Sequence, residues 1–197
     1  MSSDAVVTIT PEGADSPRNR RQEETFRKVL QAGLEMLRET SYADLTVRAV
    51  AARAKVAPAT AYTYFSSKNH LIAEVYLDLI RQAPFFTDVN DTRLNRVQQA
   101  LRSLALVIAD EPEVAVACTT AVLSNDAGVP RVRDRIGAEI HKRIKSALGP
   151  DADPQIVSAL EMTYYGALVH AGSGTLTYHQ VADRMAYVVG LILGEEN

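Results

Sequence analysis

The chain has 197 residues, 47% of them apolar, with no tryptophan, one cysteine and a formal net charge of −3. This length suffices for one or two domains with a sizeable core. No apolar run reaches the roughly eighteen residues of a membrane-spanning helix, and the N-terminus lacks the pattern of a secretory signal. The lone Cys118 cannot form a disulfide within the chain. We therefore expect a globular protein of the reducing cytoplasm, without a membrane partner.

Charge is divided unevenly along the chain. Residues 16–68 contain ten Lys or Arg and five Asp or Glu, a net charge of +5, whereas residues 69–197 contain eleven and sixteen, a net charge of −5. Residues 1–15 contribute the remaining −3. A basic third on an acidic remainder indicates a polyanionic partner for that third alone. Chance clustering on a solvated face is the alternative.

Helical periodicity dominates the sequence, and no stretch shows the alternation of a strand. Residues 1–17 are polar and rich in Ser, Pro and Gly, which predicts a disordered tail. Apolar spacing together with the positions of proline and glycine predicts an all-α fold of about nine helices. These helices are expected near residues 22–39, 47–54, 58–65, 68–83, 92–109, 112–123, 130–147, 154–172 and 178–193.

Residues 45–65 have the pattern of a helix, a three-residue turn and a second helix, which is the outline of a helix-turn-helix. Thr46 is suited to cap the first of these helices, and Pro58 occupies a first-turn position of the second, where its missing N–H costs nothing. Seven alanines lie between residues 49 and 61. Small side chains let two short helices approach closely, although alanine also simply favours helices.

The second short helix begins with small side chains and continues with aromatic ones. A helix of this kind can lie deep in a major groove, where the Thr60 side chain would contact a base edge. Tyrosine hydroxyls further along would reach phosphates, whereas Phe65 is expected in the core. The alternative is that the tyrosines are half-buried wedges and that Lys68 only solvates a helix end. The predicted DNA contacts are Thr46, Arg48, Pro58, Ala59, Thr60, Tyr62, Thr63, Tyr64 and Lys68.

The stretch LTVRAVAARAKVAPATAYTYFSSKNHLIAEV resembles the DNA-binding domain of the TetR family of bacterial transcriptional regulators. The residues that fall on the family pattern are Thr46, Arg48, Ala51, Val56, Thr60, Tyr62, Tyr64, Phe65, Ser67 and Lys68. Three positions depart from it: Ala57 replaces a usual serine, Ala59 a common glycine and Ala61 a common leucine. These departures leave the operator sequence open. Past residue 80 the resemblance is one of length and layout.

Three arginines, at positions 18, 20 and 21, precede the first predicted helix. In several family members an N-terminal arm contacts the adjacent groove, so the resemblance implies that these arginines add affinity. A basic solubilising tail is an equal alternative.

The resemblance implies a tail at 1–17, a helix-turn-helix domain at 18–68 and a ligand-binding and dimerisation domain at 69–197. The last two helices are expected to form a four-helix bundle with a second copy. On 154–172 the expected contact face is a small-residue stripe; on 178–193 it consists of Val181, Met185, Val188, Val189 and Ile192. A crossing within one chain is the alternative.

The helices at 92–147 would then enclose an effector pocket, with no evident cluster of charged residues, which favours an apolar effector. Tyr165 is the preferred contact because a buried phenol needs a partner. Ordinary core packing is the alternative for each candidate. The candidates are Cys118, Thr119, Val122, Met162, Tyr165 and Val169.

Sequence signatures of enzymes are not found. The four histidines form no HExxH motif, and neither a GxSxG elbow nor a GxxxxGK[ST] loop occurs. We expect no metal or cofactor, and we expect Cys118 to be a buried small hydrophobe rather than a redox sensor. The sequence thus predicts a dimeric repressor released from a palindromic operator by an effector. The alternative is a helical ligand-binding protein or enzyme whose helix-turn-helix is vestigial or binds protein.

Overall fold

The computed structural model describes residues 17–85 and 90–194, and within them it contains nine helices and no strand. The predicted all-α fold is confirmed. Of the predicted tail, 1–17, only Pro17 lies within the described residues. The helices are α1 (Pro17–Glu39), α2 (Val47–Arg53), α3 (Pro58–Tyr64), α4 (Lys68–Gln82), α5 (Arg93–Leu106), α6 (Pro112–Leu123), α7 (Pro130–Leu148), α8 (Pro154–Gly172) and α9 (Tyr178–Leu193).

The start of α1 differs from the prediction. This helix begins at Pro17, so the arginines at 18, 20 and 21 lie within its first turns rather than before it. Proline is favoured at the first helical position and arginine is a good helix former. Ion pairs four residues apart stabilise the following turns, namely Glu23 with Arg27 and Glu24 with Lys28. Because these polar turns show no apolar periodicity, the predicted start of α1, near residue 22, is later than the observed one.

The N-terminal helices pack around a small core. Helices α2 and α3 contact each other and α1, and the fully buried Phe65 stacks on Phe26 with ring centroids 5.1 Å apart. The predicted cap is present, because the Thr46 hydroxyl oxygen accepts from the Ala49 N–H at 3.1 Å. Helix α3 has no side-chain cap at its N-terminus, because an alanine, Ala57, stands there in place of the usual serine.

Helix α4 joins the two parts of the molecule, since it packs against α1 on one side and against α6 and α7 on the other. Beyond it, α5 packs against α7 and α9, while α8 packs against α6, α7 and α9. The buried Arg143 guanidinium of α7 donates to the carbonyls of Ile80 and Ala83 at the end of α4. It thereby satisfies carbonyls that a helix end leaves unpaired. No helix among the described residues has the length and apolarity needed to cross a membrane.

Candidate nucleic-acid interface and ligand cavity

The predicted DNA contacts lie on α2, α3 and the residues that flank them, and most of them are exposed. Tyr62 presents 52% of its surface to solvent, while Ala61 of α3 and Phe65, which directly follows the helix, are fully buried. Helical spacing therefore turns the small side chains and one phenol outward together. The exposed members are Thr46, Arg48, Pro58, Ala59, Thr60, Tyr62 and Thr63.

Two hydroxyls on this surface already have partners within the chain. The Thr63 hydroxyl donates to the Thr60 carbonyl at 2.6 Å, which occupies its only proton. The Thr46 oxygen accepts from the backbone, as described above, so its own proton remains able to donate to a phosphate. The two threonines therefore differ, because Thr46 keeps a free hydroxyl proton and Thr63 does not.

Tyr64 and Lys68 are only half-exposed and pack within the N-terminal core. The Tyr64 ring lies edge-on to Phe26 at 6.0 Å. The Lys68 ammonium donates to the Tyr42 carbonyl at 2.7 Å and lies 4.1 Å from the centre of the Tyr42 ring. Each of these side chains therefore stabilises the fold in this structure. A phosphate contact by Lys68 would have to share or replace those partners.

Ion pairs hold α2 on α1. The Arg53 guanidinium donates to both carboxylate oxygens of Glu39, at 2.5 and 2.7 Å, and to Glu35 at 3.2 Å. The hydrogen bond from Arg53 lowers the pKa of the Glu39 carboxyl. Between α2 and α3, Lys55 has a φ of 57°, a left-handed conformation that favours glycine. These residues hold α2 on α1 and form the turn that leads into α3.

The loop between α6 and α7 touches the turn that directly follows α3. A Cβ added to Gly128 would overlap the Ser66 hydroxyl oxygen and would lie 3.0 Å from the His70 side chain. In the same turn, the Ser66 N–H donates to His70 Nδ1 at 3.2 Å. The absence of a side chain at Gly128 therefore lets the loop approach the turn this closely.

A buried carboxylate strengthens the same junction. Glu74 of α4 accepts from the Arg135 guanidinium of α7 at 2.5 Å and lies 3.8 Å from His70 Nε2. Burial raises the pKa of this carboxyl, but the neighbouring His70 and Arg135 side chains outweigh burial and lower it. Glu74 is therefore ionised and paired, which is the condition for a stable buried charge.

A second ion pair joins the two parts of the molecule near the start of α6. Arg38 of α1 forms two hydrogen bonds with the Glu111 carboxylate, one of them at 2.8 Å. Hydrogen bonding from Arg38 lowers the pKa of Glu111. The N-terminal helices are thus tied to the C-terminal region at α6 as well as through α4.

Helices α4, α6, α7 and α8 enclose a cavity of about 90 Å³. Four of the six predicted ligand contacts line it, together with Tyr76 of α4 and several aliphatic side chains. None of the described side chains that line it is charged. The four predicted contacts that the structure brings together are Thr119, Val122, Tyr165 and Val169.

The remaining predicted contacts lie elsewhere. Cys118 is fully buried in the core, where burial raises the pKa of its thiol, and it does not line the cavity. Met162 is 73% exposed and lines a separate cleft between α8 and α9. The expectation of a buried phenol is wrong for Tyr165, which is 41% exposed, because the register of α8 turns Tyr164 into the core instead.

Tyr76, which lines the cavity, is paired with a second buried tyrosine, Tyr164. The Tyr76 and Tyr164 hydroxyls are 3.2 Å apart, and Tyr164 donates to the Leu104 carbonyl at 3.4 Å. Burial raises the pKa of both phenols, so both are neutral. At the edge of the cavity, a Cβ on Gly172 would lie 2.5 Å from the Thr119 methyl. Helices α6 and α8 are therefore in close contact there.

The outer surface of α8 and α9 carries both apolar and polar exposed side chains, the latter including His170, Asp183 and Arg184. Its exposed large hydrophobic side chains are Met162, Tyr165, Val169, Tyr187 and Leu191, of which Met162 lines the cleft of about 340 Å³. The prediction that five α9 residues form this surface is wrong for three of them. Three of them are buried inside the subunit, where α9 packs on α5 and α8: Val181, Met185 and Val189.

An all-helical chain with an exposed helix-turn-helix in its basic third and a cavity in the remainder has the organisation of a DNA-binding transcriptional regulator. Comparison with known proteins agrees. The family model for bacterial regulatory proteins of the tetR family matches residues 29–75. An uncharacterised HTH-type transcriptional regulator of Mycobacterium tuberculosis is 65% identical over 205 residues, covering 100% of this chain and 96% of that protein. The chain belongs to the TetR family of transcriptional regulators.

Two further comparisons are more distant. The HTH-type transcriptional repressor KstR of Rhodococcus jostii is 25% identical over 201 residues, covering 98% of this chain and 94% of that protein. The crystal structure of a TetR transcriptional regulator from a Rhodococcus species superimposes with a TM-score of 0.77 at 21% identity, covering 90% of this chain and 99% of that one. At this identity the likeness establishes the fold.

Proposed function

We propose that this regulator is a homodimeric repressor that leaves a palindromic operator when a small, largely apolar effector binds. The observation that carries the proposal is the close approach of Gly128 to the turn after α3, because it connects the cavity-bearing helices to the recognition surface. The similarity to a protein named as a repressor also supports it. The cavity binds its ligand without transforming it, and the protein acts in the cytoplasm, where its operator lies.

Helix α3 is the proposed recognition helix. Its N-terminal residues Pro58, Ala59 and Thr60 are exposed and small, so they let the backbone approach base edges. Tyr62 and Arg48 then contact phosphates on either side of the groove. The proposed domain boundary follows α3, with residues 18–68 binding DNA and residues 69–197 binding the effector and the second subunit.

The proposed dimer forms through α8 and α9, the last two helices. Specific recognition by a helix-turn-helix normally takes two copies about 34–36 Å apart, on half-sites one helical turn of DNA from each other. The exposed hydrophobic side chains described above, which include Tyr187 and Leu191, supply the contact area. Two helices from each subunit would form a four-helix bundle.

Effector binding is proposed to separate α6 from α8. Drug-sized ligands occupy pockets of about 300–1,000 Å³, whereas this cavity has about 90 Å³. A larger ligand must therefore push α6 outward, against the close contact of Thr119 with Gly172. The loop that follows α6 would carry this movement through Gly128 to Ser66. Linkage then requires that the effector and the operator weaken each other's binding by the same factor.

The test is binding of the purified protein to its own upstream DNA at two salt concentrations. Wild type should bind tightly, with log K falling by about 0.9 for each phosphate neutralised as log salt rises. Arg48→Ala should reduce that slope by about one unit, while Arg131→Ala, an exposed arginine on the acidic remainder, should not. Tyr62→Ala should abolish specific binding, and Tyr62→Phe separates the hydroxyl from the ring.

Wild-type protein that prefers neither its upstream DNA nor any fragment from a genome-wide pull-down would contradict the proposal. The alternative of a vestigial helix-turn-helix would then be favoured.

A further inference from the structure

Helix α3 has none of the side chains that usually identify a base by paired hydrogen bonds. Guanine is commonly read by Arg or Lys, adenine by Asn or Gln, and cytosine by Asp or Glu. The seven residues of α3, PATAYTY, include none of these types. Its small side chains are suited instead to apolar contact, and thymine is the base that presents a methyl group in the major groove.

Ala59 and Thr63 occupy the centre of the exposed face of α3. Each lies two residues from the fully buried Ala61, which is about 200° around a helix, so both are turned away from the N-terminal core. They are four residues apart and are therefore neighbours on one face. Thr60 and Tyr62 lie on the two flanks of that face. When α3 enters a major groove, Ala59 and Thr63 thus come closest to the bases.

The Thr63 side chain presents its methyl group rather than its proton. The hydroxyl donates to the Thr60 carbonyl at 2.6 Å, which directs the oxygen to the backbone of the same helix and occupies its only proton. The methyl is the branch of the side chain that no hydrogen bond engages. Thymine itself offers only a carbonyl oxygen and a methyl in the major groove. The favourable contact between Thr63 and a thymine is therefore between their methyl groups.

We propose that Ala59 and Thr63 select thymine in each operator half-site through contact with its 5-methyl group. This inference rests on the proposed repressor function, because it names the bases that the recognition helix selects. A guanine or an unmodified cytosine at the same position has no methyl to bury against these two side chains. The alternative is that the Thr63 oxygen accepts a hydrogen bond from the amino group of an adenine or a cytosine.

The experiment removes the thymine methyl and nothing else, by replacing thymidine with deoxyuridine, which pairs with adenine in the same way. The probe is the upstream DNA that wild type binds, with its half-sites located by footprinting and thymines exchanged at matching positions of both half-sites. Burial of one methyl corresponds to about fourfold in affinity, so the loss of one contact in each half-site should weaken wild-type binding about fifteenfold. Exchange of thymines outside the footprint is the control and should change nothing.

Two variants identify the side chain that meets the thymine. Thr63→Ser removes only the methyl and keeps the hydroxyl, whereas Thr63→Val keeps the methyl and removes the hydroxyl. At the thymine that Thr63 contacts, the exchange should weaken binding by Thr63→Val as much as by wild type. It should change the affinity of Thr63→Ser by less than about twofold, because the two methyl groups act as a coupled pair. At the thymine that Ala59 contacts, all three proteins should respond alike.

Three results would overturn the inference: unchanged wild-type affinity when every thymine of both half-sites is exchanged, equal responses of Thr63→Ser and wild type at every thymine, or loss of operator binding in a folded Thr63→Val. The last result would support the hydrogen-bonded alternative. Each of them leaves the proposed repressor function intact, because wild type still binds its operator. Wild type that binds no DNA fragment specifically would refute that function and this inference together.

Discussion

In the N-terminal region the side chains proposed to meet DNA lie between residues 46 and 68, on two short helices and the residues beside them. In the C-terminal region the cavity takes its walls from α4, α6, α7 and α8, with lining residues as far apart as Tyr76 and Val169. The first site is an exposed surface set by local sequence, and the second is a void set by long-range packing. In the first region, a substitution at the exposed surface should therefore change DNA binding without changing the free energy of unfolding. In the second region, a substitution at the cavity should change both.

The largest expected effect is at the centre of the N-terminal core. Phe65→Ala removes a fully buried ring that stacks on Phe26, and should cost about 3–5 kcal/mol of unfolding free energy. Tyr62→Ala, at an exposed position, should change stability by less than about 0.5 kcal/mol while abolishing operator binding. Urea denaturation followed by circular dichroism measures both. A large loss of stability in Tyr62→Ala would show that this tyrosine stabilises the fold, and stability and DNA binding would then not be separable in this region.

The second prediction concerns the contact between α6 and α8. Gly172→Ala places a methyl against the stiff Thr119 side chain, and overpacking of this kind costs about 1–3 kcal/mol. The substitution should force the helices apart as the effector does, and weaken operator binding about tenfold. Thr119→Ser removes the clashing methyl and should restore binding in the double variant. A loss of stability with unchanged operator affinity would mean that the α6–α8 contact does not control DNA binding.

A smaller effect is expected where the loop after α6 meets the turn after α3. Gly128→Ala introduces a Cβ against the Ser66 hydroxyl, which can partly rotate away, so operator affinity should fall about fivefold. Ser66→Ala alone should have little effect, and in the double variant it should recover part of the loss. If operator affinity is measured in all three variants and none differs from wild type, this junction does not couple the two regions.

The smallest expected effect is a pH dependence at the Arg38–Glu111 pair. The hydrogen bond from Arg38 lowers the pKa of Glu111 below its ordinary value of 4.5, so the unfolded chain takes up this proton first as pH falls. The contribution to stability is complete above the ordinary value and is lost as pH falls through the lowered one. It should amount to at most about 1 kcal/mol, because the pair is partly exposed.

Glu111→Gln should therefore lower the denaturation midpoint at pH 7 and lower it less at pH 3, which is below the ordinary pKa of the carboxyl. Glu113→Gln, at an exposed neighbouring position, is the control. Equal effects of Glu111→Gln at both pH values would show that the pair contributes through packing rather than charge.

Much of the fold could be predicted from the sequence, since helix ends depend on local signals. The bounds of α8, for example, follow from Pro154 and the glycine-rich stop after residue 171, and they match the structure. The start of α1 could not be predicted because its first turns are polar. The choice between Tyr164 and Tyr165 could not be predicted either. Adjacent residues on a helix face different directions, and only the packing of α8 decides which of them is buried.

Long-range partners left no signal in the sequence. Nothing near Arg143 indicates that its guanidinium satisfies carbonyls some sixty residues earlier, at the end of α4. The close approach of Gly128 to Ser66 is equally invisible before the fold is known. By contrast, the exposure of Tyr62 and the burial of Phe65 were predictable from the side chains themselves, because a phenol has a hydroxyl for solvent or a phosphate whereas phenylalanine has no polar atom.

Cys118 is a natural probe of local opening of the C-terminal helices. It is the only cysteine in the chain, it is fully buried, and it immediately precedes Thr119 at the cavity wall. Because burial raises the pKa of its thiol, a thiol reagent can modify it only while the surrounding helices are transiently open. The labelling rate thus measures the free energy of that opening. Any molecule that fills the neighbouring cavity stabilises the closed form, so it should lower the rate at which Cys118 is labelled.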